Sequence, residues 1–251
     1  MSEQEYILSK RDFSSKKAAK PFRSSFPGVT LRVGPSRLQP EVEIATIAIF
    51  NSSNDKTGNV VQVYYLPTAE HPLDAVKTGL DSAVCGDCPL RPVHSNVCYV
   101  RKFHGPAKVW STFQNGRYPL FKDLSADQRH KVVEILQSKP IRLGAYGDPA
   151  CDLFSSRFLA DLAEGKITSY THQWRNTPEL MGYSMASVDS TEEYIQAKGL
   201  GWRTYRHTSD NTAFTNEIIC PHKSHAIQCI DCGLCGGLAS NSSKDIVTQT
   251  L

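Results

Sequence analysis

Apolar positions along this 251-residue chain change their period more than once. Over residues 42–50 and 60–66, β-branched and other apolar side chains form short, partly alternating blocks around the turn-rich stretch 51–59. Two such blocks joined by Asn, Ser, Asp and Gly predict an antiparallel hairpin. A short helix is predicted to open at Gly105-Pro106, carry Val109 and Trp110, and end near Gly116. From residue 125 the pattern becomes regular. Ser125-Ala-Asp-Gln128 has the form of a capping box, and Val132, Val133, Ile135 and Leu136 follow at helical spacing until Pro140. Strands are predicted over 141–146, 167–172, 183–188 and 202–207. Helices separate them, one from Ser155 or Ser156 to Gly165 and one from Ser190 to Gly199 or Gly201, with a brief turn after Thr177-Pro178.

Strands alternating with helices through short connections imply parallel pairing and right-handed crossovers. The expected fold is α/β, a partial or distorted TIM-like barrel of parallel strands with an N-terminal β-hairpin and a cysteine-rich metal-binding tail. An open doubly wound sheet is the alternative. A complete barrel usually takes about 250 residues by itself, with no room for an arm and a tail. The chain divides into a basic irregular arm (1–40), an α/β core holding the first cysteine set (41–215), the cysteine-rich tail (216–240) and a C-terminus expected to be disordered (241–251).

Charge changes this picture at one end only. Residues 1–40 hold eight Lys/Arg (Lys10, Arg11, Lys16, Lys17, Lys20, Arg23, Arg32 and Arg37) against Glu3, Glu5 and Asp12, a net +5 in a chain of net +3. Such an arm can meet phosphates, or simply remain a solvated terminus. The longest apolar run, 44–50, is interrupted by Thr46 and too short to span a bilayer, and the first residues lack a signal-peptide pattern. No membrane partner is expected. A cytoplasmic location follows (the host cytoplasm for a phage-encoded protein), where thiols stay reduced.

Seven of the eight cysteines fall in two sets. Cys220, Cys229, Cys232 and Cys235 supply four sulfurs, enough to close a site. Cys85, Cys88 and Cys98 supply three, which His94, His104 or Cys151 could complete, or which could hold a cluster with one iron left open. Thiolates at such spacing suit Zn²⁺ or an iron–sulfur cluster, because both take soft, tetrahedrally arranged sulfur. The Cys-x2-Cys-x2-Cys core of the later set is like a four-iron ferredoxin loop, although His222 or His225 could make it a zinc knuckle. A zinc ribbon joining Cys85 and Cys88 to a tail pair is a further arrangement. In parallel α/β architectures the active site lies at the carboxyl ends of the strands. Those ends offer Asp148, His172, Asp189 and Arg206, with His207 beside it, for proton transfer and anion binding. Each also has a structural explanation. Asp148 suits a turn before Pro149, Asp189 a helix cap, and His172 a satisfied core histidine.

At Cys85-Gly-Asp-Cys88-Pro-Leu-Arg…Cys98-Tyr99, Gly144-Ala-Tyr-Gly-Asp-Pro149 and Tyr170-Thr-His-Gln-Trp-Arg175, the chain resembles a cysteine-rich phage-encoded family related to radical-SAM partial-barrel proteins. The resemblance spans roughly residues 77–237, with the third cysteine displaced from the usual Cys-x3-Cys-x2-Cys loop. It implies a [4Fe-4S] cluster on Cys85, Cys88 and Cys98, S-adenosylmethionine on the open iron, and radical chemistry within the barrel. The expected function is an iron–sulfur metalloenzyme, radical-SAM-like, acting on a nucleotide or nucleic-acid-related substrate, with a second cluster or a zinc ion on the tail cysteines. The alternative is a zinc-stabilised nucleic-acid-binding protein of phage replication or regulation, without catalysis, in which Arg101 and Lys102 join the arm in meeting phosphates.

Overall fold

Ile44, Ala45, Ile47 and Ala48 are wholly buried, so the strand that carries them is covered on both faces. It belongs to a three-strand antiparallel meander, β1 (Gly28–Pro35), β2 (Glu43–Ile49) and β3 (Val61–Pro67). The computed structural model describes residues 26–95, 97–209 and 212–249. The turn between β2 and β3 is set by Asn54, whose side-chain oxygen accepts from the N–H groups of Lys56 and Thr57.

After β3 every pairing is parallel. β4 (Ile141–Tyr146) and β5 (Ile167–Thr168) complete the first sheet in the order β1-β2-β3-β4-β5. A second sheet contains β6 (Tyr170–Thr171), β7 (Met185–Val188), β8 (Thr204–Thr208), β9 (Glu217–Ile219) and β10 (Asp245–Gln249), ordered β6-β7-β8-β10-β9. One stretch of chain, broken at Ser169, links the sheets. Its N–H turns to the Cys235 carbonyl, while its own carbonyl accepts from Met185. Helices α1 (Pro72–Thr78), α2 (Ser82–Cys85), α3 (Gly105–Gln114) and α4 (Ala126–Ser138) lie between β3 and β4. Next come α5 (Leu153–Ala163) before β5, α6 (Thr191–Gly199) before β8, and the short α7 (Pro221–His225) and α8 (Cys229–Cys232) before β10.

The α/β class, the hairpin and the parallel strands are those read from the periodicity. Among the described residues no pairing joins β1 to β9, so the sheets do not close into a barrel. The capping box at Ser125 and Gln128 forms in full. At Ser190 only half of one forms, because the Glu193 carboxylate accepts from the Asp189 N–H instead. Helix α5 starts two residues earlier than expected, on an Asp152 cap; the Ser156 hydroxyl is engaged with Pro149 and Tyr65.

Two boundaries are corrected. Residues 28–35, assigned to the irregular arm, form β1, where Val29 is buried and Leu31 and Val33 pack on the core. Residues 1–25 lie outside the described residues. Residues 245–249, expected to be disordered, form β10, which stands between β8 and β9 and is their only connection in the sheet. Asp245 anchors it, accepting from the Thr204 N–H and pairing with Lys198 at 2.9 Å. Ile246 is wholly buried. Ile246→Ala is therefore expected to lower unfolding free energy by about 2–5 kcal/mol, read from the denaturant midpoint; a disordered tail would show no change.

Candidate functional site

Parallel strands bring their C-terminal ends to one edge. The chain leaving β3 there builds α1 and α2, and Cys85 is the last residue of α2. The chain leaving β4 turns at Gly147, whose φ of +81° favours glycine. A Cβ at that position would lie 2.8 Å from the Tyr65 Cβ, so only glycine lets this turn press against β3. The next N–H, of Asp148, donates to the Val84 carbonyl and fixes the end of β4 against α2. Arg91 holds the loop after α2. It pairs with Asp81 at 2.7 Å and donates to the carbonyls of Gly79 and Gly86.

These elements bound a cleft of about 80 Å³ lined by Cys85, Cys88, Cys98, Tyr146, Asp148 and His172, among others. Its size suits a compact group and leaves any larger molecule at the mouth. Cys88 Sγ is 3.3 Å from His172 Nδ1, and His172 Nε2 is 3.1 Å from Asp189 Oδ2. Burial opposes protonation of His172, but its hydrogen bonds to Asp189 and Cys88 prevail and push its pKa up to about 10. The ring is an imidazolium at neutral pH, and both nitrogens donate. For Asp189, burial acts upward, yet the His172 contact holds its carboxyl below the ordinary range.

Asp148 sets the position of His172. Its carboxylate accepts from the Ala150 N–H, the Thr171 hydroxyl and the His172 N–H. Burial raises its pKa, opposed by these three bonds. Among the described residues two buried polar atoms have no hydrogen-bond partner here, the Tyr146 hydroxyl on the cleft lining and Asp189 Oδ1, whose residue does not line it. Buried polar groups are ordinarily satisfied, so the Tyr146 hydroxyl is available to a ligand.

All eight cysteines are free thiols. Burial pushes the Cys85 thiol up, reinforced by the charges of Cys88, Asp81, Cys98 and Asp148. In the tail set, Cys220 and Cys235 are buried, and the Cys235 thiol is pushed up to about 12 by burial, with Cys229, Cys220 and Cys232 adding to the effect. Each set thus influences its own members. Among the described residues no three His, Cys, Asp or Glu side chains converge closely enough to hold a single ion.

Other expected site residues fall elsewhere. Arg206 is buried against Glu217 in a two-pronged ion pair and lies over the Phe214 ring, so it does not line the cleft. Its contacts with Glu217 and Phe214 are those of a structural ion pair. Cys151 is wholly buried in the main core, and His94 and His104 are exposed and outside the lining. An aromatic connection was not legible in the sequence. Tyr170 lines the cleft, packs against the buried cluster that holds Cys235 and lies 4.3 Å from the Tyr205 ring. Tyr205 meets His207, which stacks on Tyr99 beside Cys98. Side chains from β6, β8 and the cysteine loop make these contacts, and no spacing in one strand announces them.

Comparison with protein-family models, with curated proteins and with solved structures finds no match. The Arg206 assignment is directly testable. Glu217→Ala removes the buried carboxylate that neutralises Arg206 and is expected to destabilise the protein by about 3–5 kcal/mol, measured by chemical denaturation. A change within experimental error would return Arg206 to the list of functional candidates.

Proposed function

We propose that the protein is an iron–sulfur enzyme, radical-SAM-like, whose catalytic cluster binds Cys85, Cys88 and Cys98 and whose substrate is a nucleotide or nucleic-acid-related molecule. The observation that carries this reading is that the three sulfurs line one cleft at the C-terminal edge of parallel strands. A cubane would take one thiolate per iron from such a set. Three thiolates leave one iron for an exchangeable ligand, and S-adenosylmethionine is the one that the family resemblance implies. A partial-barrel curvature of the two sheets belongs to the same proposal.

The bound cluster would supply one-electron chemistry. The chain's own residues do the rest. His172, held protonated by Asp189, donates to the Cys88 sulfur and offsets the added negative charge of a reduced centre. Asp148 sets the imidazole in place. The Tyr146 hydroxyl on the cleft lining offers a donor to a polar ligand. The tail cysteines form a second centre in this reading, structural or electron-relaying, in contact with the cleft through Tyr170.

Anaerobic reconstitution with iron and sulfide should give a brown protein with broad absorbance at about 400 nm, lost from the first centre in Cys98→Ala. A colourless protein with stoichiometric zinc would reject the proposal in favour of the zinc-stabilised binding protein. His172→Ala should weaken cluster binding by about 10- to 100-fold and lower its reduction potential, read by iron titration and by redox titration of the cluster signal.

Because burial raises the thiols of Cys85 and Cys235, metal uptake must expel their protons. Apparent affinity for metal should therefore rise as pH increases from 6.5 to 8.5, roughly in proportion to the protons released. An affinity independent of pH would show that the thiols are not the ligands.

One observation favours a second reading. Cys88, His172 and Asp189 are connected at hydrogen-bond distance in the order of a sulfur nucleophile, its imidazole partner and the group that orients that ring. In that reading Cys88 is alkylated by iodoacetamide well ahead of the other cysteines, and a rate no faster than theirs rejects it.

A further inference from the structure

Between Asp87 and Asp123 the chain contains no carboxylate and six basic residues, Arg91, Arg101, Lys102, Lys108, Arg117 and Lys122. The excess exceeds the net +3 of the whole protein, and this segment forms one wall of the cleft. Arg91 is neutralised by Asp81. Arg101, Lys102 and Lys108 have no ionic partner among the described residues, and Lys102 lines the cleft itself.

The same segment exposes large apolar side chains. Tyr99 is 50% exposed and Phe103 63%. Their rings are held rather than loose. Tyr99 stacks on His207 at 5.9 Å, and Phe103 lies 4.5 Å from His104. Free cations alternating with presented aromatic faces meet the two needs of an unpaired nucleic-acid strand, charge neutralisation and base stacking. A duplex keeps its base faces covered, and an acidic peptide would use the cations but leave the rings in water.

We infer that the rim around Tyr99 and Phe103 docks a single-stranded nucleic acid, with bases stacked on these two rings and phosphates on Arg101, Lys102 and Lys108. The inference deepens the proposed function by naming its substrate class, and it rests on that reading for the chemistry that follows docking. A base stacked on Tyr99, beside Cys98, stands at the cleft, whose lining also carries the unpartnered Tyr146 hydroxyl for a polar edge.

The test is fluorescence anisotropy of the full-length protein with labelled single-stranded DNA and RNA, the matching duplex and an acidic peptide, with iron and zinc measured on each sample. Single strands should bind more tightly than the duplex. Tyr99→Ala and Phe103→Ala should each weaken binding by about fivefold or more, while Arg101→Ala and Lys102→Ala should each reduce the slope of log K against log salt by about 0.7. All four side chains lie on the loop surface or the cleft wall, and circular dichroism checks that each variant remains folded. Absence of binding by iron-loaded protein, preference for duplex or peptide, or binding that all four substitutions leave intact would overturn the inference. A zinc-loaded, colourless protein that binds single strands through these residues would sink the iron–sulfur reading and leave the docking surface standing.

Discussion

The site depends on a buried carboxylate. Asp148 has almost no contact with water, so its charge is tolerated only because three donors point at it. Those donors come from the turn after β4 and from the end of β6, and the Asp148 N–H adds a bond to α2. One residue therefore ties three separate segments at the strand edge. Without it the His172 backbone would lose its anchor, and the approach of the imidazole to Cys88 would have no fixed geometry. The Arg91–Asp81 pair makes the corresponding tie on the other side, holding the loop that carries Cys88. Both are charged groups in a dry environment, where leaving one partner unmatched is severely unfavourable and alternative loop positions are correspondingly excluded.

This arrangement explains why some features were readable in the sequence and others were not. The hairpin was legible because β-branched blocks flank an Asn- and Gly-rich turn, a purely local signal. Helix α4 announced itself through the Ser125 and Gln128 cap. Strand β1 was obscured by Pro27 and Pro35, which frame a Val29–Leu31–Val33 alternation too short to stand out. Strand β10 has a weaker local signature still. Its five residues become a strand because β8 and β9 each lack a neighbour that only this segment supplies, and tertiary pairing decides such cases.

The candidate site divides in the same way. Cysteine spacing identified two sulfur sets, and the strand ends identified Asp148, His172 and Asp189. What spacing could not express was the 84-residue separation between Cys88 and His172, closed only by the fold. Nor could it separate Arg206 from the others. A strand-end arginine looks alike in sequence whether it faces a ligand or a buried Glu217, and the partner lies 11 residues further along the chain.

Electrostatics acts on both sulfur sets in the same way. Thiols buried together resist ionisation, and each added thiolate makes the next harder to form. Near the tail set this is relieved by Lys56 and Arg142, whose charges act downward on the Cys229 thiol. Lys56 also donates to the Tyr205 hydroxyl at 3.0 Å, so one cation serves both the tail sulfurs and the aromatic contact leading to the cleft. The cleft has its own cation in the His172 imidazolium. Each sulfur set thus has a cation beside it, the His172 imidazolium at Cys88 and Lys56 at Cys229, and a nearby positive charge lowers the cost of forming a thiolate there.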